Sequence, residues 1–308
     1  MRAPDSTSRH IRVVALIGPT AAGKSDCALR VCELSEAEII TADSMQMYRG
    51  MNIGTATPSV DEQKRVPHHL LDVWPIDHEA SVAEFQTMAR NAIHDVSLRN
   101  RLPLLVGGSG LYVRAALDDL RFPGTDPQVR ARLEAEADEL GAAVMHARLA
   151  KLDPGAALAI APTNARRIVR ALEVVEITGQ PFTATLPDET PVFSDVRVGI
   201  EVPPEVLVQR IAERVRRMWA DGFVDEVRAL AADGLASTRT AARAIGYSQV
   251  LNLLEGRCDE ATAIDDTITA TRRFAKRQLT WFRRDPRVVW IRYDDPTLAQ
   301  QVVDLARA

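Results

Sequence analysis

Short β-branched apolar runs alternate along this chain with longer segments of helical period. Residues 11–17 (IRVVALI) are the first run, and residues 38–41 and 102–106 have the same character. Each run is too short for a stable helix and is bounded by turn-forming residues, which predicts buried strands. Residues 70–73 are expected to be a further strand. A glycine loop follows the first run and leads into an apolar-periodic helix over residues 25–34. Ser81 with Glu84 three positions on is an N-cap signature, and it opens a helix expected to reach about residue 98. Strands alternating with helices in this order predict an α/β fold, with a parallel sheet flanked by helices on both faces.

The pattern changes near residue 120. Phe122-Pro123-Gly124 breaks the chain, and residues 126–179 are charged, alanine-rich and helical in period, with interruptions at Gly141, Pro154 and Pro162. This segment reads as a helical insertion over residues 121–195, dividing an α/β core into residues 1–120 and 196–308. Residues 196–202 are expected to return to the sheet as a strand. Pro204 sits where a helix would begin, further helices run to about residue 284, and residues 287–292 read as a last strand. Residues 1–10 read as a polar tail.

With 308 residues and 46% apolar composition the chain can bury a substantial core. Its formal charge of −4 carries no general basic excess, so an RNA-binding surface would have to be a local patch. Three scattered cysteines, Cys27, Cys32 and Cys258, fit neither a disulfide framework nor a zinc site and suit a reducing cytoplasm. No apolar run is long enough to span a bilayer, and the stretch over residues 13–17 is too short for a signal-peptide core.

Chemistry enters at Gly18-Pro19-Thr20-Ala21-Ala22-Gly23-Lys24-Ser25, which matches GxxxxGK[ST] between an expected strand and an expected helix. Such a P-loop NTPase-like turn points backbone N–H groups and a helix N-terminus at phosphate oxygens. Lys24 supplies a point charge, and the Ser25 hydroxyl can ligate Mg²⁺. The motif specifies phosphate, not ATP. Asp43, in the run Asp43-Ser44-Met45-Gln46 after the second strand, falls on the same edge of such a sheet. It can serve there as a general base or metal-organising carboxylate, or it can cap a following helix. Gly107-Gly108-Ser109-Gly110 ends the 102–106 strand, where phosphate-loop ATPases often place an acid. Glycines there allow either close approach of a bulky substrate or a tight turn.

Three arginine stripes complete the candidates. Arg166, Arg167 and Arg170 flank an apolar side that includes Ile168. Arg210, Arg214 and Arg217 share a helix face. Arg272, Arg273, Lys276 and Arg277 precede Trp281-Phe282-Arg283-Arg284. Each suits either phosphate contact and base stacking or a solvated helix face. Cys27 and Cys32 read as packing residues, and His68 and His69 lack metal-ligand spacing.

Together these segments resemble the tRNA dimethylallyltransferase family, of bacterial type because no zinc finger follows. The resemblance rests on GPTAAGKS (18–25), ADSMQMYRGMNIGTATPS (42–59), PHHLLDV (67–73), LPLLVGGSGLYVRAAL (102–117), RRIVRALEV (166–174), RIAERVRRM (210–218), RAIGYSQ (243–249) and TRRFAKRQLTWFRRD (271–285). It implies a cytoplasmic, monomeric prenyltransferase. Such an enzyme moves the dimethylallyl group of dimethylallyl diphosphate to N6 of the adenosine 3′ of the anticodon, in tRNAs that read codons beginning with U, with Mg²⁺ as cofactor. By this resemblance Asp43 is the general base and Arg214 a catalytic arginine at the leaving group. Gly18 to Ser25 hold the diphosphate. The tRNA anticodon stem-loop is touched by Asp43, Ser44, Met45, Gln46, Ser109, Arg130, Arg166, Arg167, Ile168, Val169 and Arg170. The alternatives are a P-loop kinase or ATPase acting on a small molecule, which shares the loop but expects the missing carboxylate, and a non-catalytic RNA-binding module.

Overall fold

A computed structural model describes residues 10–182 and 190–308. All but the last residue of the expected polar tail, and part of the expected insertion, lie outside the described residues. In chain order the strands are β1 (Arg12–Ile17), β2 (Ala37–Thr41), β3 (His68–His69), β4 (Leu102–Gly107), β5 (Ser194–Glu201) and β6 (Val288–Arg292). The helices around the first four strands are α1 (Lys24–Leu34), α2 (Val60–Arg65), α3 (Val82–Leu98) and α4 (Gly110–Leu117). Next come α5 (Pro127–Leu140), α6 (Ala142–Leu152), α7 (Pro154–Ala159) and α8 (Ala165–Thr178). The remainder are α9 (Pro204–Ala220), α10 (Phe223–Ala232), α11 (Tyr247–Leu254), α12 (Glu260–Phe282) and α13 (Leu298–Arg307).

The chain divides into two compact units, one of residues up to Asp118 and from Pro191 onward, the other Asp119–Thr190. In the first, six strands form one parallel sheet in the order β3-β2-β4-β1-β5-β6. A parallel sheet covered on both faces needs continuous apolar strands, and residues 13–16 of β1 are wholly buried, as are Leu104 and Leu105 of β4. Because every strand runs the same way, the loops after β1, β2 and β4 emerge on one edge. The chain moves from β1 out to β2 and β3 on one side and later to β5 and β6 on the other, which makes that edge a topological switch point.

Local chemistry explains the element ends. Ser81 accepts from the Glu84 N–H at 3.1 Å as the N-cap of α3, while the Glu84 carboxylate turns to His78 Nε2 at 2.8 Å instead of back to the cap. Ser59 and Glu62 form the reciprocal capping box that opens α2, a helix the apolar pattern did not announce. The strand expected at 70–73 is instead a turn: pairing with β2 stops after His69, and Leu70 and Asp72 adopt φ of 65° and 51°, which takes the backbone out of the extended region. β5 starts two residues earlier than its apolar run, since Ser194 and Asp195 pair with Arg12 and Val13. Ser194 and Asp195, expected in the insertion, therefore belong to the sheet, and residues 191–193 to the same compact unit.

The second unit contains α5 to α8, with Leu133, Met145, Leu149, Ile168, Val169 and Leu172 in its core. Glu173 is fully buried there and accepts from Arg130 and Arg170, the latter at 2.8 Å.

In the first unit an ion cluster joins the end of α4 to β5 and the start of β6. Fully buried Asp118 receives Arg197 Nη2 at 2.6 Å, Arg287 Nη1 at 2.8 Å and Arg114 Nε at 3.0 Å. Arg197 also meets Asp195 and Asp285, at 2.6 and 2.8 Å. Burial by itself would raise the Asp118 pKa, but the hydrogen bonds from Arg197 and Arg287 outweigh it and hold the carboxyl below its ordinary 3.8. Its contribution to stability is thus present above that ordinary value and is lost as the pH falls through the lowered one. Removing one partner leaves buried charge uncompensated, so Asp118→Ala is expected to cost about 3–5 kcal/mol. A denaturant titration at neutral pH checks this, and a variant with an unchanged midpoint contradicts it.

Candidate active site

The glycine loop curls as its sequence requires. Gly18 and Gly23 take φ of 149° and 91°, and Ala21 takes 62°, a value uncommon outside glycine. In this arrangement Lys24 Nζ donates to the carbonyls of Gly18 and Pro19 at 3.0 and 2.7 Å. Thr20, Ala21, Ala22, Gly23, Lys24 and Ser25 line a cavity of about 1120 Å³, and Ser25 is exposed on the first turn of α1. Gly18 and Pro19 form the loop's shoulder and do not line the cavity.

Asp43 borders the same cavity. No helix follows it, so it is not a helix cap. Its Oδ1 accepts from the Met45 N–H at 3.0 Å and closes a local turn, while Oδ2 takes no hydrogen bond from the described residues. The preceding Ala42 N–H donates to Val106 of β4 at 2.8 Å, which seats the turn on the sheet edge.

The third component comes from α9, whose apolar side buries Leu207, Ile211, Val215 and Met218. The opposite stripe, Arg210, Arg214 and Arg217, lines the cavity. Arg210 stacks over the Tyr293 ring at 4.5 Å. Arg214 makes no hydrogen bond or ion pair with any described residue. Burial lowers its pKa, partly offset by the charge of Asp43. Burial likewise lowers Lys24 to about 8, with Asp43 opposing the shift and Arg214 adding to it. Two desolvated cations with one nearby carboxylate leave a local positive excess, which an anion with several acceptor oxygens would satisfy.

The glycine block after β4 works differently from the substrate-clearance expectation. A Cβ on Gly107 would lie 2.3 Å from the Ala42 carbonyl oxygen, one on Gly108 2.2 Å from Gln278 Nε2, and one on Gly110 2.0 Å from the Trp281 ring. The missing side chains therefore make room for protein atoms, although Gly107 and Gly108 still line the cavity. Gln278, 6% exposed on α12, explains the closeness: its Oε1 accepts from the Thr20 N–H and its Nε2 donates to the Gly108 carbonyl, both at 2.9 Å. One amide thus ties the phosphate loop to the loop after β4. Nothing in its spacing marks it in the sequence. No carboxylate stands at the end of β4, where Gly108 and Ser109 lead into α4.

Ser44, Met45 and Gln46 follow Asp43 in the turn, and of these Gln46 lines the cavity. Ser109 sits at the N-cap of α4 without a side-chain cap bond. Arg130, Arg166, Arg167, Ile168, Val169 and Arg170 belong to the helical unit, and none of them lines the cavity. Arg166 and Arg167 are exposed on α8, whereas Ile168 and Val169 are 0% and 5% exposed in the core of that unit. Their side chains cannot meet RNA, because the apolar side of α8 is spent on packing. Arg130 and Arg170 are held by Glu173, and Arg170 also donates to the carbonyls of Pro123 and Gly124. On α12, Arg272, Arg273, Lys276 and Arg277 are all exposed. Cys27 is buried, and burial raises the thiol pKa of Cys27 and Cys32 to about 11 and 12, as for packing residues. His69 is bound to Glu38 at 2.7 Å and His68 to the Val66 carbonyl.

Known proteins resemble this chain over most of its length. Residues 46–285 match the family model described as IPP transferase. The chain is 59% identical over 298 residues to a tRNA dimethylallyltransferase of Thermobifida fusca, covering 95% of this chain and 93% of that protein. It is 57% identical over 296 residues to one of Salinispora arenicola, covering 96% and 86%. The crystal structure of the full-length tRNA isopentenylpyrophosphate transferase from Bacillus halodurans superposes with a TM-score of 0.70 at 38% identity, over 96% of this chain and 95% of that one. A eukaryotic dimethylallyltransferase captured acting on tRNA gives 0.79 at 25% identity, over 95% and 77%. With a parallel α/β sheet, a phosphate loop and no acid after β4, the chain belongs to the IPP transferase family, that of the tRNA dimethylallyltransferases.

Proposed function

We propose that this protein transfers the dimethylallyl group of dimethylallyl diphosphate to N6 of the adenosine 3′ of the anticodon, in tRNAs reading codons that begin with U, and releases diphosphate. The observation that carries this reading is the convergence of Lys24, Arg214 and Asp43 on one cavity, with Arg214 lacking a hydrogen-bonded partner among the described residues. The cytoplasm, where tRNA is found, is the expected place of action, and a monomer is the expected form.

In this mechanism the phosphate-loop amides and Lys24 bind the diphosphate, and Arg214 meets the charge that grows on it as the C–O bond breaks. An exocyclic adenine amine is a weak nucleophile, so Asp43 accepts a proton from N6 as the C–N bond forms. The adenine must leave its stack to reach that carboxylate. Mg²⁺ fits the donors present, which are hard oxygens: the Ser25 hydroxyl and, through water, Asp43. Among the described residues no three His, Cys, Asp or Glu gather to hold a metal; Ser25 and Asp43 would hold the ion together with the bound diphosphate. When bound it would neutralise charge on the leaving group. The exposed cations Arg166 and Arg167 of the helical unit and those of α12 suit contact with the backbone of the anticodon stem-loop. A small-molecule kinase is the weaker reading, since no carboxylate follows β4 to organise its metal.

Incubation with Mg²⁺, dimethylallyl diphosphate and unmodified tRNA, then digestion and mass analysis of the nucleosides, tests the reading. The modified adenosine is expected; phosphate released from ATP without tRNA would favour the kinase instead. Asp43→Ala is expected to lower kcat by roughly 10²- to 10⁴-fold, while tRNA affinity changes only severalfold. Full turnover would remove Asp43 as the base. Arg214→Ala is expected to lower kcat about 100-fold and to raise the KM for the donor; unaltered kinetics would shift the role to Arg210 or Arg217.

The Lys24 pKa supplies a test in pH. The free protein holds this ammonium only up to about pH 8, and a bound diphosphate favours the charged form. Donor binding should therefore take up a proton above pH 8, and affinity should fall as the pH rises further. Calorimetry at pH 8.5 in two buffers of different ionisation enthalpy reads that uptake directly. Identical heats in both would contradict it.

A further inference from the structure

Beyond the cavity, on α10, Glu226 makes an arrangement that the mechanism has not used. Its Oε2 accepts the N–H groups of Asn52 and Ile53 at 3.0 and 2.7 Å. Its Oε1 accepts the Gly54 N–H at 3.3 Å and the Tyr247 hydroxyl at 2.7 Å. Three successive backbone donors form a nest of the kind that binds anions, and here a side-chain carboxylate fills it. Four donors on two oxygens occupy the acceptor capacity of an ionised carboxylate. The approach is close: a Cβ on Gly54 would lie 2.4 Å from the Tyr247 ring and 2.5 Å from that of Phe223.

The clamped turn does face the cavity. Asn52, Ile53 and Thr55 line it, whereas Glu226 does not. The turn is closed by the Thr57 N–H on the Asn52 carbonyl at 3.0 Å and by Thr55 Oγ1 on the Met51 carbonyl at 2.5 Å. Its free carbonyls, Thr55 and Ala56, accept both donors of the Gln46 amide, at 3.2 and 3.1 Å. Only the Gln46 Oε1 then remains, and it takes no hydrogen bond from the described residues. With two carbonyls on the nitrogen end the amide cannot flip without setting oxygen against oxygen.

We infer that Glu226 is a positioning residue for the acceptor base: it anchors the turn at 52–54, and the turn holds Gln46 with its carbonyl oxygen available to the incoming amine. This rests on the functional reading above and deepens it. Adenine offers an N6 amine with two hydrogens, one for Asp43 and one for Gln46 Oε1. Guanine presents an acceptor oxygen at that position, which would meet an acceptor. The chain from Glu226 through the turn to Gln46 thus favours adenine over guanine without Glu226 touching the base.

The test uses the full-length protein with dimethylallyl diphosphate and unmodified tRNA, comparing Glu226→Gln, Glu226→Ala, Gln46→Ala and the double variant Glu226→Gln/Gln46→Ala. Misplacing a contact by an ångström is costly, so Glu226→Gln is expected to lower kcat about 10-fold and Glu226→Ala up to about 100-fold. The donor KM should stay within about threefold and the melting temperature of Glu226→Gln within a few degrees, a split that a purely structural role would not give. Because the two residues act in series, the double variant should be little worse than the worse single one. Wild-type kcat in Glu226→Gln, a loss confined to donor KM, or losses that multiply in the double variant would each overturn the assignment while leaving the functional reading intact. Wild-type protein that fails to modify tRNA would overturn both.

Discussion

Lys24 and Arg214 are two cations drawn out of water at the carboxyl edge of a parallel sheet, with Asp43 as the carboxylate that bears on both. Among the described residues Arg214 has no hydrogen-bonded partner. Desolvating a charge that lacks a hydrogen-bonded partner is costly, and an anion bound from outside would offset that cost. The diphosphate of the proposed donor would do so, most strongly as charge grows on it at departure. The sheet order, the glycine loop and the apolar side of α9 all serve to bring these three groups to one cavity.

Two amide and carboxylate clamps hold the surroundings of that cavity. Gln278 fastens the phosphate loop to the loop after β4, and Glu226 fastens the turn at 52–54 from α10. In both cases a side chain from a distant helix satisfies backbone groups in a loop that has no regular structure of its own. Such loops would otherwise fluctuate, and catalysis by placement requires that they do not. The Asp118–Arg197–Arg287 cluster plays a comparable part deeper in the unit, where it joins α4 to β5. The helical unit has its own version in Glu173 with Arg130 and Arg170.

Much of the site was legible from residue patterns. The phosphate loop announces itself because its backbone geometry needs glycine at fixed positions and its ligand needs Lys24 and Ser25 next to them. The Arg210, Arg214 and Arg217 stripe follows from helical spacing. Asp43 follows from its place after a strand, though the sequence alone left open whether it capped a helix. The sequence leaves the glycine block after β4 open between substrate clearance and a tight turn, because a glycine reports only that something lies close, not whether it is Trp281, Gln278 or a ligand. Resemblance places Ile168 and Val169 at the RNA with their arginine neighbours, but helical geometry turns their side chains inward.

Local rules, then, determined the strands, the main helices, the parallel α/β class and the phosphate-binding turn, since each depends on periodicity, caps or backbone conformation within a few residues. Tertiary structure alone decided which charges are desolvated, which loops Gln278 and Glu226 bind, and that Ser194 and Asp195 pair in the sheet. Those outcomes depend on contacts between residues far apart in the chain, such as Thr20 with Gln278 and Asn52 with Glu226. No spacing rule encodes them, because a hydrogen bond is made by position in space and the chain's order is silent about that until it folds.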